Sequence, residues 1–516
     1  MRKAINYMDR KFNSFCYGLF VKTYILWHPS PKPPVMKKRS LLLFGFAAFL
    51  TILLFSFTSH RLIKKNKLST RDTLPFLMIR AKDHLGKSVS SSSGVVSFTT
   101  GLHNDYYQVD SLNKSGFLYI ETRLSSFMND NVKRVPLNIC IVIDRSGSMG
   151  GVKLGFAKKA AKGIIDQLNT EDIVSVVMYD NAVDSVQPPI KVLDKVSIQK
   201  KIDGITARGG TDLWGGTEQG YEFVKRNYKP GFINRVLLIS DGLANVGMTD
   251  PQLIRLKVQQ YKDDNGITLS TFGVGLDYNE SLMTDMAETG LGNYYFIDAP
   301  DMMASIFTKE LNGMMNVAAQ DAELKIDLPQ GVKLVKSYPL KFTQNGNTVS
   351  IKMRDLFSEE TRGTLFTFTI DNGTSQVLKF SSTLTFTDVA DGQAKTLHHE
   401  NLLSPIRNID AYLTHFNKPV IEQSILYTAN ENLEKAMAEM DKGNYTTASS
   451  YIDFNNNYLR ANEVYVRTSY ELKRMDSANR SYGGDIRRVK DMGSDSIKRV
   501  QKKSKEMNYY LRQKKQ

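Results

Sequence analysis

Residues 140–151 read CIVIDRSGSMGG. The apolar run 137–143 stops abruptly at Asp144, two hydroxyls follow at alternate positions (Ser146 and Ser148), and then a glycine pair. A short, apolar, β-branched run reads as a buried strand. Gly147, Gly150 and Gly151 break it, and residues 152–168 then carry Leu154, Ala157, Ala161, Ile164, Ile165 and Leu168 at helical spacing. Asp144, Ser146 and Ser148 therefore fall on a strand-to-helix loop, at the edge where open α/β sheets bind ligands. A carboxylate with hydroxyls is a hard-oxygen set, suited to Mg²⁺ or Ca²⁺ and poorly suited to zinc. Asp and Ser also cap helices and fill turns, so this loop alone decides nothing.

Two further loops carry matching chemistry. Arg208-Gly209-Gly210-Thr211-Asp212 precedes a helical stretch, 213–226, and the apolar strand 234–239 ends in Ser240-Asp241-Gly242. The surrounding pattern alternates strand and helix. Strands are expected at 172–179, 267–274 and 293–297, with 182–187 as a hairpin partner of the first. Helices are expected at 251–262, 281–288 and 302–315. This alternation predicts an α/β fold, a doubly wound and mostly parallel sheet covered on both faces.

With those residues in place, 136–316 resembles the von Willebrand factor A (VWA) domain, a Rossmann-like α/β unit. The family's metal-ion-dependent adhesion site combines D-x-S-x-S, a Thr on a second loop and an Asp on a third. Asp144, Ser146, Ser148, Thr211 and Asp241 match it in type and order. The resemblance implies Mg²⁺ (or Ca²⁺ or Mn²⁺), held directly or through water by Ser146, Ser148 and Thr211. It implies that Asp144 and Asp241 act through water. An ion held chiefly by neutral hydroxyls keeps most of its charge and attracts an Asp or Glu of a protein partner. That is a binding device. The sequence shows no nucleophile–base pair, Gly-rich phosphate loop or zinc pattern, so no catalytic residue and no enzyme activity are expected. The alternative reading is a VWA cofactor subunit of an ATPase- or chelatase-type complex.

The formal charge of +15 over 516 residues is unevenly spread. Residues 1–71 carry +13 and residues 467–516 carry +9, which leaves −7 for the middle. The basic character belongs to the ends, which argues against a nucleic-acid surface on the α/β unit. Cys16 and Cys140 lie in the basic N-terminal segment and the core strand, so a structural disulfide is not expected. His398 and His399 are adjacent, cannot share one helix face, and read as surface or sheet-edge residues.

Residues 41–58 (LLLFGFAAFLTILLFSFT) are uncharged and just long enough to span a bilayer. Lys37, Lys38 and Arg39 precede them and Arg61, Lys64, Lys65 and Lys67 follow. Two readings compete: an uncleaved signal anchor, or an export signal whose true start is Met36. The first is favoured, because no small-x-small cleavage site stands out. The basic flanks nearly tie the charge rule. The apolar run places the protein in the cell membrane as a single-pass chain, and the extracytoplasmic orientation of its bulk rests on the family.

The expected organisation is a basic tail (1–40), the anchor (41–58) and a linker (59–93) ending in a serine run. A first part of a β-sandwich (94–135), the VWA unit (136–316) and a second part of the sandwich (319–390) follow. Strand patterns at 95–98, 117–124, 322–328, 340–353, 363–370 and 377–386 support one sandwich that the VWA unit interrupts or that flanks it. This arrangement resembles exported bacterial VWA proteins and, more distantly, the inter-alpha-trypsin inhibitor heavy chains. From Pro405 onward the pattern is helical: residues 405–472 read as a helical hairpin region, and 473–516 as a basic tail, a solvated helix or a disordered segment, with a membrane-surface or cell-wall contact as the sharper alternative.

Overall fold

The computed structural model describes residues 83–112, 114–125 and 134–514. The expected tail, apolar span and most of the linker lie outside the described residues. Among the described residues, no helix is long and apolar enough to cross a membrane.

Four strands come first: β1 (Val89–Ser93), β2 (Val96–Leu102), β3 (Tyr106–Gln108) and β4 (Ser115–Leu124). The α/β unit then opens with β5 (Leu137–Asp144), α1 (Val152–Gln167), β6 (Ile173–Tyr179), β7 (Val183–Lys191), α2 (Lys195–Asp203) and α3 (Leu213–Arg226). It continues with β8 (Ile233–Ser240), α4 (Pro251–Asn265), β9 (Thr268–Val274), α5 (Glu280–Thr289), β10 (Leu291–Ile297) and α6 (Met303–Met315). Its six strands run in the order β10-β9-β8-β5-β6-β7, parallel except for the edge strand β7. Every residue of β5, β8 and β9 is buried, so these strands are mostly apolar and the polar residues they carry, such as Asn138, Arg235 and Ser270, are hydrogen-bonded inside. Side-chain alternation divides β5 between two cores. Ile139, Ile141 and Ile143 pack with Ala161 and Ile165 of α1 and with Phe307 and Leu311 of α6. Cys140 and Val142 pack with Tyr221 and Val224 of α3 and Met286 of α5. Cys140 is a free, buried thiol.

The sandwich strands resume after α6: β11 (Val317–Asp327), β12 (Val332–Tyr338), β13 (Thr343–Asn345), β14 (Thr348–Phe357), β15 (Thr361–Ile370), β16 (Leu378–Asp388) and β17 (Ala394–Ile406). They complete two sheets, β1-β2-β4-β15-β12 and β13-β14-β11-β16-β17-β3. Strand β4 pairs with β15 from Arg123↔Thr361 to Ser115↔Thr369, and β3 pairs with β17. Strands from before and after the α/β unit therefore share sheets and one core, with Phe98, Leu118 and Phe368 against Leu324, Phe380 and Leu403. The α/β unit is an insertion in a sandwich.

Several boundaries differ from expectation. The serine run assigned to the linker is β1; its hydroxyls pair across to β2, Ser90 with Thr99 at 2.9 Å and Ser92 with Ser97 at 2.8 Å. The sandwich extends past 390 to Ile406 through β17, whose sequence hides the strand because two of its four buried positions, His399 and Asn401, are polar. His399 is not a surface residue. It is buried, bonds Ser91 at 2.8 Å and Thr100 at 3.2 Å, and stacks on Phe98.

The helical hairpin is present as α8 (Lys418–Asp441) and α9 (Tyr445–Ala461), preceded by α7 (Ile409–Thr414). After α10 (Glu463–Thr468) the expected tail is helical, as α11 (Tyr470–Arg488) and α12 (Ser494–Arg512), but it is neither disordered nor solvated: Tyr509 of α12 is buried in the α/β core.

Candidate metal centre

In a parallel sheet all the strands end on one edge. There β5 stops at Asp144, and the chain makes one short turn (Gly147–Met149) before α1. Gly151 adopts φ +73° to enter the helix, which accounts for the glycine after Gly150. The Asp144 carboxylate is fully buried. Its Oδ1 accepts from the Ser146 N–H at 2.8 Å and its Oδ2 from the Ser240 hydroxyl at 2.7 Å, which ties the end of β5 to the end of β8. Burial pushes this carboxyl above the ordinary range, and the nearby Asp241 adds to the effect.

The hydroxyls follow in sequence. Ser146 Oγ lies 3.1 Å from Ser148 Oγ, and the Ser148 hydroxyl donates to Asp241 Oδ1 at 2.8 Å. The buried Asp241 also receives the Lys153 ammonium on Oδ2 at 2.5 Å. Thr211 comes in on the loop between α2 and α3. That loop is laced to the first by Gly147 N–H to Gly209 O (3.0 Å) and Arg208 N–H to Arg145 O (2.7 Å). It is laced to the third by Thr211 N–H to Asn245 Oδ1 (2.9 Å). An added Cβ on Gly242 would lie 3.0 Å from Thr211 Oγ1 and 3.7 Å from Ser148 Oγ, so both hydroxyls face this glycine. The structure thus brings together all five expected residues: Asp144, Ser146, Ser148, Thr211 and Asp241.

Three contributors escaped the sequence reading. Ser240 and Asn245 are second-row supports with no signal beyond their loops. Lys153 left a readable trace: a cation in the first turn of a helix opposes the helix dipole, so it needs a compensating anion, which is Asp241. Among the described residues, no group of three or more His, Cys, Asp or Glu is arranged to hold a metal. This site is instead two carboxylates and three hydroxyls, all oxygen. That donor set fits a hard divalent cation that retains several waters.

Residues 138–309 match the model of the von Willebrand factor type A domain. The chain carries a VWA domain. It is 34% identical over 192 residues to the uncharacterized protein YfbK of Escherichia coli (strain K12), covering 37% of this chain and 33% of that one. It is 30% identical over 174 residues to inter-alpha-trypsin inhibitor heavy chain H2 of Mesocricetus auratus, covering 32% of this chain and 18% of that one. The chain thus spans a third or less of the length of these two relatives. Among solved structures it resembles a von Willebrand factor type A protein from Catenulispora acidiphila, with TM-score 0.59 and 16% identity, over 75% of this chain and 91% of that one. At that identity the likeness is one of fold. It extends past the VWA domain, because the match covers far more of the chain than residues 138–309.

Proposed function

We propose that the chain is a membrane-anchored, metal-dependent protein-binding protein of adhesion or scaffold type. Its VWA domain captures an acidic residue of a partner, and it is not an enzyme. One observation carries the reading: Asp144, Ser146, Ser148, Thr211 and Asp241 converge from three loops at one sheet edge. In this reading Ser146, Ser148 and Thr211 hold Mg²⁺, Ca²⁺ or Mn²⁺ with water, and Asp144 and Asp241 anchor that shell. A partner carboxylate completes it. Anchorage through 41–58 rests on that segment's apolar, uncharged sequence, and the bulk outside the cytoplasm rests on the family resemblance. No nucleic acid is involved, since the surplus positive charge belongs to the ends of the chain.

The test is a pulldown from the cell-envelope fraction. Capture should vanish in EDTA and return with Mg²⁺, and Thr211→Ala should weaken it. Replacing the partner's acid by its amide should cost about 2–5 kcal/mol, as for one side of a buried charge pair. Capture that persists in EDTA would overturn the metal-dependent reading. Protection of the bulk from protease in spheroplasts would favour a cytoplasmic partner of the ATPase or chelatase kind.

A further inference from the structure

A cleft of about 350 Å³ opens where the VWA domain, the sandwich and α12 meet. It lies beside the start of β10, at the opposite edge of the sheet from the metal centre. Its size is within the range of small-molecule pockets, and junctions between units are where such pockets occur. Leu291, Leu340, Phe342, Ile351 and Tyr509 line it with apolar surface.

Its charge is unbalanced. Most charged groups of the lining are matched at close range: Lys262 by Asp263 (3.2 Å), Arg362 by Glu360 (2.9 Å), Glu323 by Lys325 (3.5 Å) and Glu288 by Arg512. Three cations remain. Arg255 and Lys341 share one carboxylate, Asp285, at 3.8 and 3.6 Å. Lys352 has no ion-pair partner among the described residues. The rim therefore carries an excess of two positive charges over an apolar lining. Leu291 itself is held at φ +54°, because the next residue, Gly292, runs so close to β9 that any side chain there would strike the Leu269 carbonyl. Such strain persists where the surroundings over-determine the backbone, so this wall of the cleft is fixed in place.

We propose that this cleft binds a small anionic ligand with an apolar body, such as an aromatic or medium-chain acid. Its anion sits among Arg255, Lys341 and Lys352, and its body rests on Leu291, Phe342 and Ile351. A bare inorganic anion would leave the apolar lining unused, and a neutral apolar molecule would leave the cations uncompensated.

The experiment is calorimetric titration of the full-length protein with three probes: naphthalene-1-sulfonate, the uncharged 1-naphthalenemethanol and inorganic sulfate. Naphthalene-1-sulfonate should bind one to one, at least about tenfold tighter than either of the others. The exposed pair Lys341→Gln/Lys352→Gln should weaken naphthalene-1-sulfonate about tenfold and leave 1-naphthalenemethanol unchanged. The proposal is overturned by no naphthalene-1-sulfonate binding, by equal binding of either comparison probe, or by unchanged affinity in the double lysine variant.

Discussion

Single residues set the costs inside the VWA domain. Arg235 is buried under the sheet, with Thr268 Oγ1 at 2.8 Å and Glu310 Oε1 at 2.9 Å. Glu310 also accepts from Ser270 (2.5 Å), Asn293 (2.6 Å) and Tyr295 (2.8 Å), which pins α6 to the sheet. Arg235→Met strands a buried carboxylate and should cost about 3–5 kcal/mol. The double variant Arg235→Met/Glu310→Leu should cost less than the single one, read as urea midpoints. Lys502 makes a different case. Burial lowers its ammonium to about 8, although Glu280, Asp441 and Asp277 oppose the shift and Lys505 assists it. The unfolded lysine keeps its proton up to about 10.5. Between those values the unfolded chain binds more protons, so this residue makes stability rise with pH. Lys502→Met should flatten that rise between pH 8 and 10 in urea titrations at each pH. At this scale the sequence was legible where chemistry sits on loops, as with Asp144, Ser146, Ser148, Thr211 and Asp241. It was not legible where a residue acts through a tertiary contact, as Ser240 does on Asp144 and Glu310 on Arg235.

At the scale of elements, α12 is the part the sequence hid best. Its polar, basic composition suits solvent, yet it covers β10, the edge strand of the VWA sheet, and an uncovered edge invites association. The contact is anchored by Tyr509, whose hydroxyl accepts from Tyr294 N–H at 3.4 Å, and by Glu506, which accepts from Phe296 N–H at 3.1 Å. Lys502 lies 3.5 Å from the Tyr278 ring centroid. Lys498 and Arg499 add exposed pairs to Asp277 and Asp298, both at 2.9 Å, which solvent screens to a small contribution. Tyr509→Ala should therefore cost about 3 kcal/mol and release the C-terminal helix to protease. Lys498→Ala should do neither. Because the contact is made of a few aromatic and polar anchors, it leaves no apolar stripe to read. Elements with regular alternation fared better: β16 buries every second residue and was legible, whereas β17 carries His399 and Asn401 inward and was not.

At the scale of the molecule, the VWA domain is a loop of the sandwich, entered after β4 and left at β11. Strand patterns on both sides implied the interruption. The pairing of β4 with β15, and of β3 with β17, is long-range and appears only in the fold. The candidate metal edge of the sheet lies on loops at the ends of β5 and β8, with Asp144 locking β5 to β8 beneath them. In the proposed function this edge holds one hard cation through neutral hydroxyls. The direct measurement is calorimetric titration of the full-length protein with Mg²⁺, Ca²⁺ and Mn²⁺, alongside Asp144→Asn and Ser148→Ala. Asp144→Asn keeps an acceptor for Ser146 N–H, removes the charge and puts an NH2 donor against the Ser240 hydroxyl, which then accepts instead of donating. The account predicts a single site in the wild type and loss of its binding heat in both variants, with their circular dichroism unchanged. Equal metal affinity in wild type and variants would contradict it.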